Sequence, residues 1–178
     1  MVENSWLALL IVALSGIGTA VALLLFFWRR EIEERRRLVR QQLLQATLPL
    51  RLQALERAAL FLERNDPNNL LPRLNPHTFQ HTSELIRVLF QTVQEEFLHN
   101  AAHQIYMGPQ VWASLRSAKN ILLQTLQLTL SEHPPQQTPP LAWVERFKEK
   151  WRSQANDPFQ IASAYVHKEM QRLLEMRE

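Results

Sequence analysis

The chain has no cysteine. Disulfides, thiolate metal sites and a cysteine nucleophile are therefore excluded. Glycine is nearly as scarce: Gly16 and Gly18 fall in an apolar N-terminal run, and only Gly108 lies outside it. Tight hairpins and glycine-rich phosphate loops need more than that. Charged side chains are missing from Trp6 to Trp28, and so is proline, all ten copies of which come later. No segment alternates apolar and polar residues with period two, so strands have no signal. The net charge is only +3. Arginine interleaved with glutamate, without a recognisable recognition module, gives no reason to expect a nucleic-acid partner.

What is present begins with the uncharged run itself. Trp6 to Trp28 is 23 residues, about 34 Å as a helix against a hydrocarbon core of about 30 Å. Its two tryptophans sit at the ends, where indole favours the headgroup zone. A cleaved signal peptide would carry positive charge before a shorter apolar stretch. Here only Glu3 precedes the run, and Arg29 and Arg30 follow it directly. The run therefore predicts an uncleaved membrane anchor. Arg29, Arg30, Arg35, Arg36, Arg37 and Arg40 crowd its C-terminal flank. By the positive-inside rule, that places the N-terminus outside and residues 29–178 in the cytoplasm. The same arginines read first as a topology signal, since the glutamates among them weaken a patch for anionic lipid. Within the run, Ser15/Thr19, Gly16/Ala20 and Gly18/Ala22 are small-residue pairs that allow two helices to approach, so a homo-oligomer is a candidate state.

Removing Glu3 from the chain's +3 leaves +4 on residues 29–178, long enough for one domain with a core. Prolines punctuate it into helices. The expected fold is all-α: an anchor, then a helical bundle ending in a helix pair. The divisions are 1–28 (outer tip and anchor), 29–47 (juxtamembrane helix), 48–132 (core domain), 133–140 (proline-rich linker) and 141–178 (C-terminal pair). The first helix is expected to run to about Ala46, with Pro49 marking a kink or new start. Leu48, Leu52, Leu55, Ala59 and Leu62 give the stripe of a second helix, and residues 65–69 read as a turn. A third helix opens at Asn75-Pro76 with the stripe Phe79, Ile86, Phe90, Val93 and Phe97, ending near His103 or Tyr106. A fourth, after Gly108-Pro109, has the stripe Val111, Leu115, Ala118, Leu122 and Leu126. Residues 133–140 read as a stiff extended linker. Two short amphipathic helices follow, over about 141–153 and 158–176. Trp143, Phe147 and Trp151 among basic residues suit either the bundle core or the membrane surface.

On the third helix Glu95, His99 and His103 recur at one-turn spacing, Glu96 and His99 form a Glu-x-x-His pair, and His77 and His81 come earlier. Helices present metal ligands in this way. A di-iron site needs a second such pair and two more inward carboxylates, which are missing. On a helical wheel the histidines lie opposite the phenylalanine stripe. A hydrated polar face is the expected reading, and no cofactor is expected.

Two stretches carry a family resemblance. One is Thr47-Leu-Pro-Leu-Arg-Leu-Gln-Ala-Leu-Glu-Arg through Leu60-Phe-Leu-Glu-Arg and Pro67-Asn-Asn-Leu. The other is Glu95-Glu-Phe-Leu-His-Asn followed by Gln104-Ile-Tyr and Trp112. Over residues 45–120 the chain resembles an uncharacterised bacterial family of small single-span membrane proteins with a helical cytoplasmic part. That family's second motif usually reads Glu-Phe-Glu-His-Asn. Leu98 replaces its acidic residue here, and His103 stands where another polar residue is usual. The resemblance implies no activity. It implies a set of polar motif residues: Arg51, Glu56, Arg57, Glu63, Arg64, His99, Asn100, Gln104 and Tyr106. They are expected to join the second and third helices in a buried network, or to form a docking face. The function expected is a membrane-anchored scaffold or accessory subunit that contacts membrane lipid and binds a protein partner. The alternative is a metal-dependent enzyme using Glu95, Glu96 and His99.

Overall fold

A computed structural model describes residues 5–175, without the side chains of residues 5–13, Ser15, Ile17, Ala20 and Leu44. Its order is α1 (Ser5–Asn65), α2 (Pro67–Leu74), a 3-10 turn (Pro76–Thr78), α3 (Thr82–Ala101), a second 3-10 turn (Gln104–Tyr106), α4 (Pro109–Glu132), α5 (Pro140–Arg152) and α6 (Pro158–Glu175). The chain is all-α, with no strand among the described residues. It divides into two compact units, Met1–Thr47 and Leu48–Glu178.

The first unit is helical from Ser5, and its described side chains from Val21 to Leu43 are all exposed. Among the described residues no helix is long and apolar enough to cross a membrane. The opening part of the expected anchor, Trp6 to Ala13, lies outside the described side chains.

Of the kink or new start expected at Pro49, the new start is not found, for α1 carries that proline inside it. Proline removes one N–H and crowds the carbonyl four residues back, at a cost of about 3 kcal/mol in a helix interior. Gln45, whose carbonyl loses its partner, and Pro49 are both exposed, so water can take the freed acceptor. The turns that follow offset the rest of the cost by burial: Ala54, Leu55, Ala58, Phe61 and Leu62 are at most 4% exposed. Leu55 and Leu62 belong to the expected stripe. Ala59, also expected in it, faces outward instead, and its neighbours Ala58 and Phe61 take the core side.

The expected turn at 65–69 is instead the start of α2. Asp66 caps it, its carboxylate accepting from the Asn68 N–H at 2.8 Å, and Pro67 occupies the first turn. That is the aspartate-proline opening used again before α6, where Asp157 accepts from the Phe159 N–H at 2.9 Å. Asn75 ends α2 with φ 48° and starts only a 3-10 turn. The third helix therefore begins at Thr82 and not at Pro76, and it stops at Ala101. Residues 133–140 fold into a turn, with the Gln137 N–H donating to the Pro134 carbonyl at 3.0 Å, where an extended linker was expected.

α4 is the central element of the second unit and packs against α3, α5 and α6. Its expected stripe holds throughout, for Val111, Leu115, Ala118, Leu122 and Leu126 are all buried. Thr125 and Thr129 are buried beside it and satisfy their hydroxyls on the carbonyls of Ile121 and Thr125, each at 2.8 Å. Phe97 of α3 stacks on Trp112 of α4 with ring centroids 5.0 Å apart, and Lys119 Nζ lies 4.5 Å from the Phe97 centroid. The aromatic side of α5 belongs to the same core. Trp143 and Phe147 are fully buried and stacked at 5.8 Å, and Trp151 meets Phe159 of α6 edge-on at 5.7 Å.

Candidate functional site

The charged groups that the second unit draws inward converge where α6 passes the start of α4. Glu169 of α6 is the pivot. Its Oε1 accepts from Arg51 Nη2 of α1 at 2.8 Å, and its Oε2 lies 3.7 Å from Arg172 Nη1. The Glu169 side chain is only 13% exposed, so both guanidiniums act on a carboxylate that water reaches poorly. Gly108 makes room for it: a Cβ there would lie 3.1 Å from Oε1. Gly108 also caps the start of α4, and the positive end of that helix favours a carboxylate beside it.

Around this pair runs a cleft of about 570 Å³ whose lining includes Gln110, Tyr165, Lys168 and Arg172. A second hollow of about 340 Å³ shares Gln110 and Tyr165 with it and adds Ala113, Ser117, Ile121 and Ile161. Together they form a groove between α4 and α6 whose charged lining residues, Arg51, Lys168, Glu169, Arg172 and Glu175, all lie in the first hollow. Ile161 and Tyr165 are 47% and 40% exposed on its lip.

A smaller cluster lies on α3. Glu96 sits 3.6 Å from Arg64 of α1 and 3.7 Å from Arg73 of α2. Both guanidiniums approach the same oxygen, Oε1, at ion-pair distance. Glu95 accepts from Gln91 Nε2 at 2.8 Å, while His99, His77 and His81 are exposed. His103 is half-buried, and its Nδ1 has no hydrogen-bond partner within the described protein. No group of three or more His, Asp or Glu placed to hold a metal occurs among the described residues.

Of the polar motif residues, Arg64 alone links α1 to α3, through Glu96. Arg51 reaches α6 instead. Asn100 is buried and turns its Nδ2 back to the Glu96 carbonyl at 2.8 Å. Tyr106 is half-buried, and Glu56, Arg57, Glu63, His99 and Gln104 are exposed. Trp28 and Arg29, Arg30, Arg35, Arg36, Arg37 and Arg40 are exposed on α1, and the Trp6 side chain lies outside the described residues. Glu169, Arg172, Arg73 and Gly108 were not anticipated. Only Gly108 left a trace in the sequence, as the one glycine beyond the apolar run.

Two exposed carboxylates are shifted. Hydrogen bonds from Lys150 to Glu132, and from Lys148 to Glu145, hold both below the usual carboxylate value. They are surface pairs on α4 and α5, remote in kind from a catalytic acid.

Fold and groove together define an all-α protein whose second unit presents an ion-paired cleft between two helices. The chain belongs to a family of unknown function, DUF7935, whose model matches residues 4–173. No curated protein and no solved structure matches it.

Proposed function

We propose that this protein is a scaffold or accessory subunit, anchored in the bacterial inner membrane by Trp6–Trp28 with its helical domain in the cytoplasm, and that it binds a protein partner through the groove between α4 and α6. The groove is the observation that carries the reading. Along it Ile161 and Tyr165 stand half in water, and its charged end carries the Arg51–Glu169 pair at 2.8 Å. An ion-paired end beside exposed Ile161 and Tyr165 suits recognition of another polypeptide better than turnover of a small molecule. The 23 uncharged residues followed by Arg29 and Arg30 support the anchor.

The test compares full-length protein with the double variant Ile161→Asp/Tyr165→Asp. Each is affinity-purified in mild detergent, and the copurifying proteins are identified by mass spectrometry. The expected result is a polypeptide recovered in stoichiometric amount with the natural sequence and lost with the variant. Recovery of the chain alone under several detergents, or of the same proteins from both forms, would sink the proposal.

A further inference from the structure

Residues 29–40 carry six arginines and three glutamates, a mixture that in sequence looks nearly self-neutralising. On α1 the charges are sorted. Arg30 pairs with Glu34 at 3.5 Å and Arg35 with Glu31 at 2.9 Å. Among the described residues Arg29, Arg36, Arg37, Arg40 and Glu33 make no ion pair, which leaves four positive charges against one negative. At about 100° per residue these five share an arc of about 100°, and the two ion pairs take the adjoining arc. All of them are exposed. The stripe starts one residue beyond Trp28, where the uncharged run ends.

We propose that this unpaired arginine stripe binds the headgroups of anionic phospholipids at the cytoplasmic membrane surface. The inference rests on the anchor reading above and gives it a lipid preference. Side chains on a helix tilt toward its N-terminus. For a helix whose N-terminal part lies in lipid, these guanidiniums therefore lean back toward the bilayer. Arg36 is seven residues past Arg29, about 11 Å along the axis before that lean is counted, against a screening length of about 8 Å at physiological salt. Arg29 thus sits at the headgroups and Arg36 and Arg37 lie within the surface potential, with Arg40 at its outer edge. The planar guanidinium fork matches phosphate oxygens, and a cytoplasmic leaflet supplies them.

The experiment titrates the full chain, in mild non-ionic detergent, with phosphatidylglycerol and with phosphatidylcholine, counting bound lipid by native mass spectrometry. Phosphatidylglycerol is expected to bind tighter on the order of tenfold, with a preference that falls as salt is raised. The variant Arg36→Gln/Arg37→Gln/Arg40→Gln is expected to bind both lipids alike. The charge-matched control Arg87→Gln/Arg116→Gln/Arg152→Gln, and the neutral pair removal Glu31→Gln/Arg35→Gln, are expected to keep the preference. Lack of preference in the natural chain, or equal loss in the controls, would overturn the stripe. Alkaline carbonate extraction of the membranes reads the anchor separately. If the chain is released, the anchor reading fails, and sedimentation of that chain with vesicles of each lipid still decides the stripe by the same variants.

Discussion

Glu169 shows how much one side chain can join. Its carboxylate meets Arg51 from α1 and Arg172 from its own helix, and it lies where a Cβ on Gly108 would come within 3.1 Å of Oε1. Removing one partner of a charge-assisted hydrogen bond that is largely shielded from water leaves the other unsatisfied, at about 1–3 kcal/mol. Glu169→Gln and Arg51→Ala are each expected to lower stability by that amount, measured by thermal or denaturant unfolding of the purified chain. In a double-mutant cycle the two losses should be clearly less than additive. Additive losses would mean that the pair is geometrically close but energetically idle. Neither residue's role could be read from the sequence, since they stand 118 positions apart and nothing local marks Glu169 among the other glutamates.

Glu132 gives a pH-dependent counterpart at the same scale. The Lys150 hydrogen bond lowers its carboxyl from 4.5 in the folded chain. A lowered folded value means the pair's stabilisation is complete above the unfolded value and lost as pH falls through the folded one. Comparing the natural chain with Glu132→Gln, the difference in unfolding midpoint should be constant at neutral pH and shrink below about 4.5. The effect is small because the carboxylate is exposed. A difference that grows in acid would contradict the sign.

At the level of elements, agreement and failure have separate causes. The α4 stripe was legible because one strongly periodic face meets the core along its whole length. α2 was not, although its Asp66-Pro67 opening is the same one that starts α6 at Asp157-Pro158. The turn-forming residues Asn68, Asn69 and Pro72 in so short a stretch obscured the cap. The helix survives because Leu70 and Leu71 are buried. The α1 helix crosses Pro49 for a similar reason: packing of the turns after it outweighs a local preference. Replacing that proline restores an N–H and removes the clash with the Gln45 carbonyl. Pro49→Ala is therefore expected to raise the unfolding midpoint, by up to about 3 kcal/mol in stability, with a slight gain in helical circular dichroism. A lower midpoint would show that the ring sets a bend the packing requires.

For the whole molecule the decisive question is where the two ends of the chain lie. The absence of cysteine makes the answer accessible, because a single introduced thiol is the only one present. Under the proposed topology, Glu3→Cys should react with a membrane-impermeant maleimide on intact spheroplasts, whereas Ser153→Cys should react only after lysis. The reverse pattern would invert the topology, and labelling of both in intact spheroplasts would remove the cytoplasmic assignment.

The sequence by itself determined the class of the protein. Without cysteine, with one glycine beyond the apolar run and no period-two segment, only helices were open to it, and the uncharged run and its arginine flank were plain in composition. Those are properties of consecutive residues, and periodicity and charge along a chain are written in one dimension. Which charges face each other is not. Tertiary structure decided that Arg51 belongs to Glu169 and Glu96 to Arg64 and Arg73, and that the aromatic side of α5 lies in the core rather than on a surface. A local helix decided that Glu31 and Glu34 neutralise two arginines and leave four. In each case the reason is the same: the energy of a charge or an aromatic face depends on what lies within a few ångströms of it, and folding alone sets that neighbour.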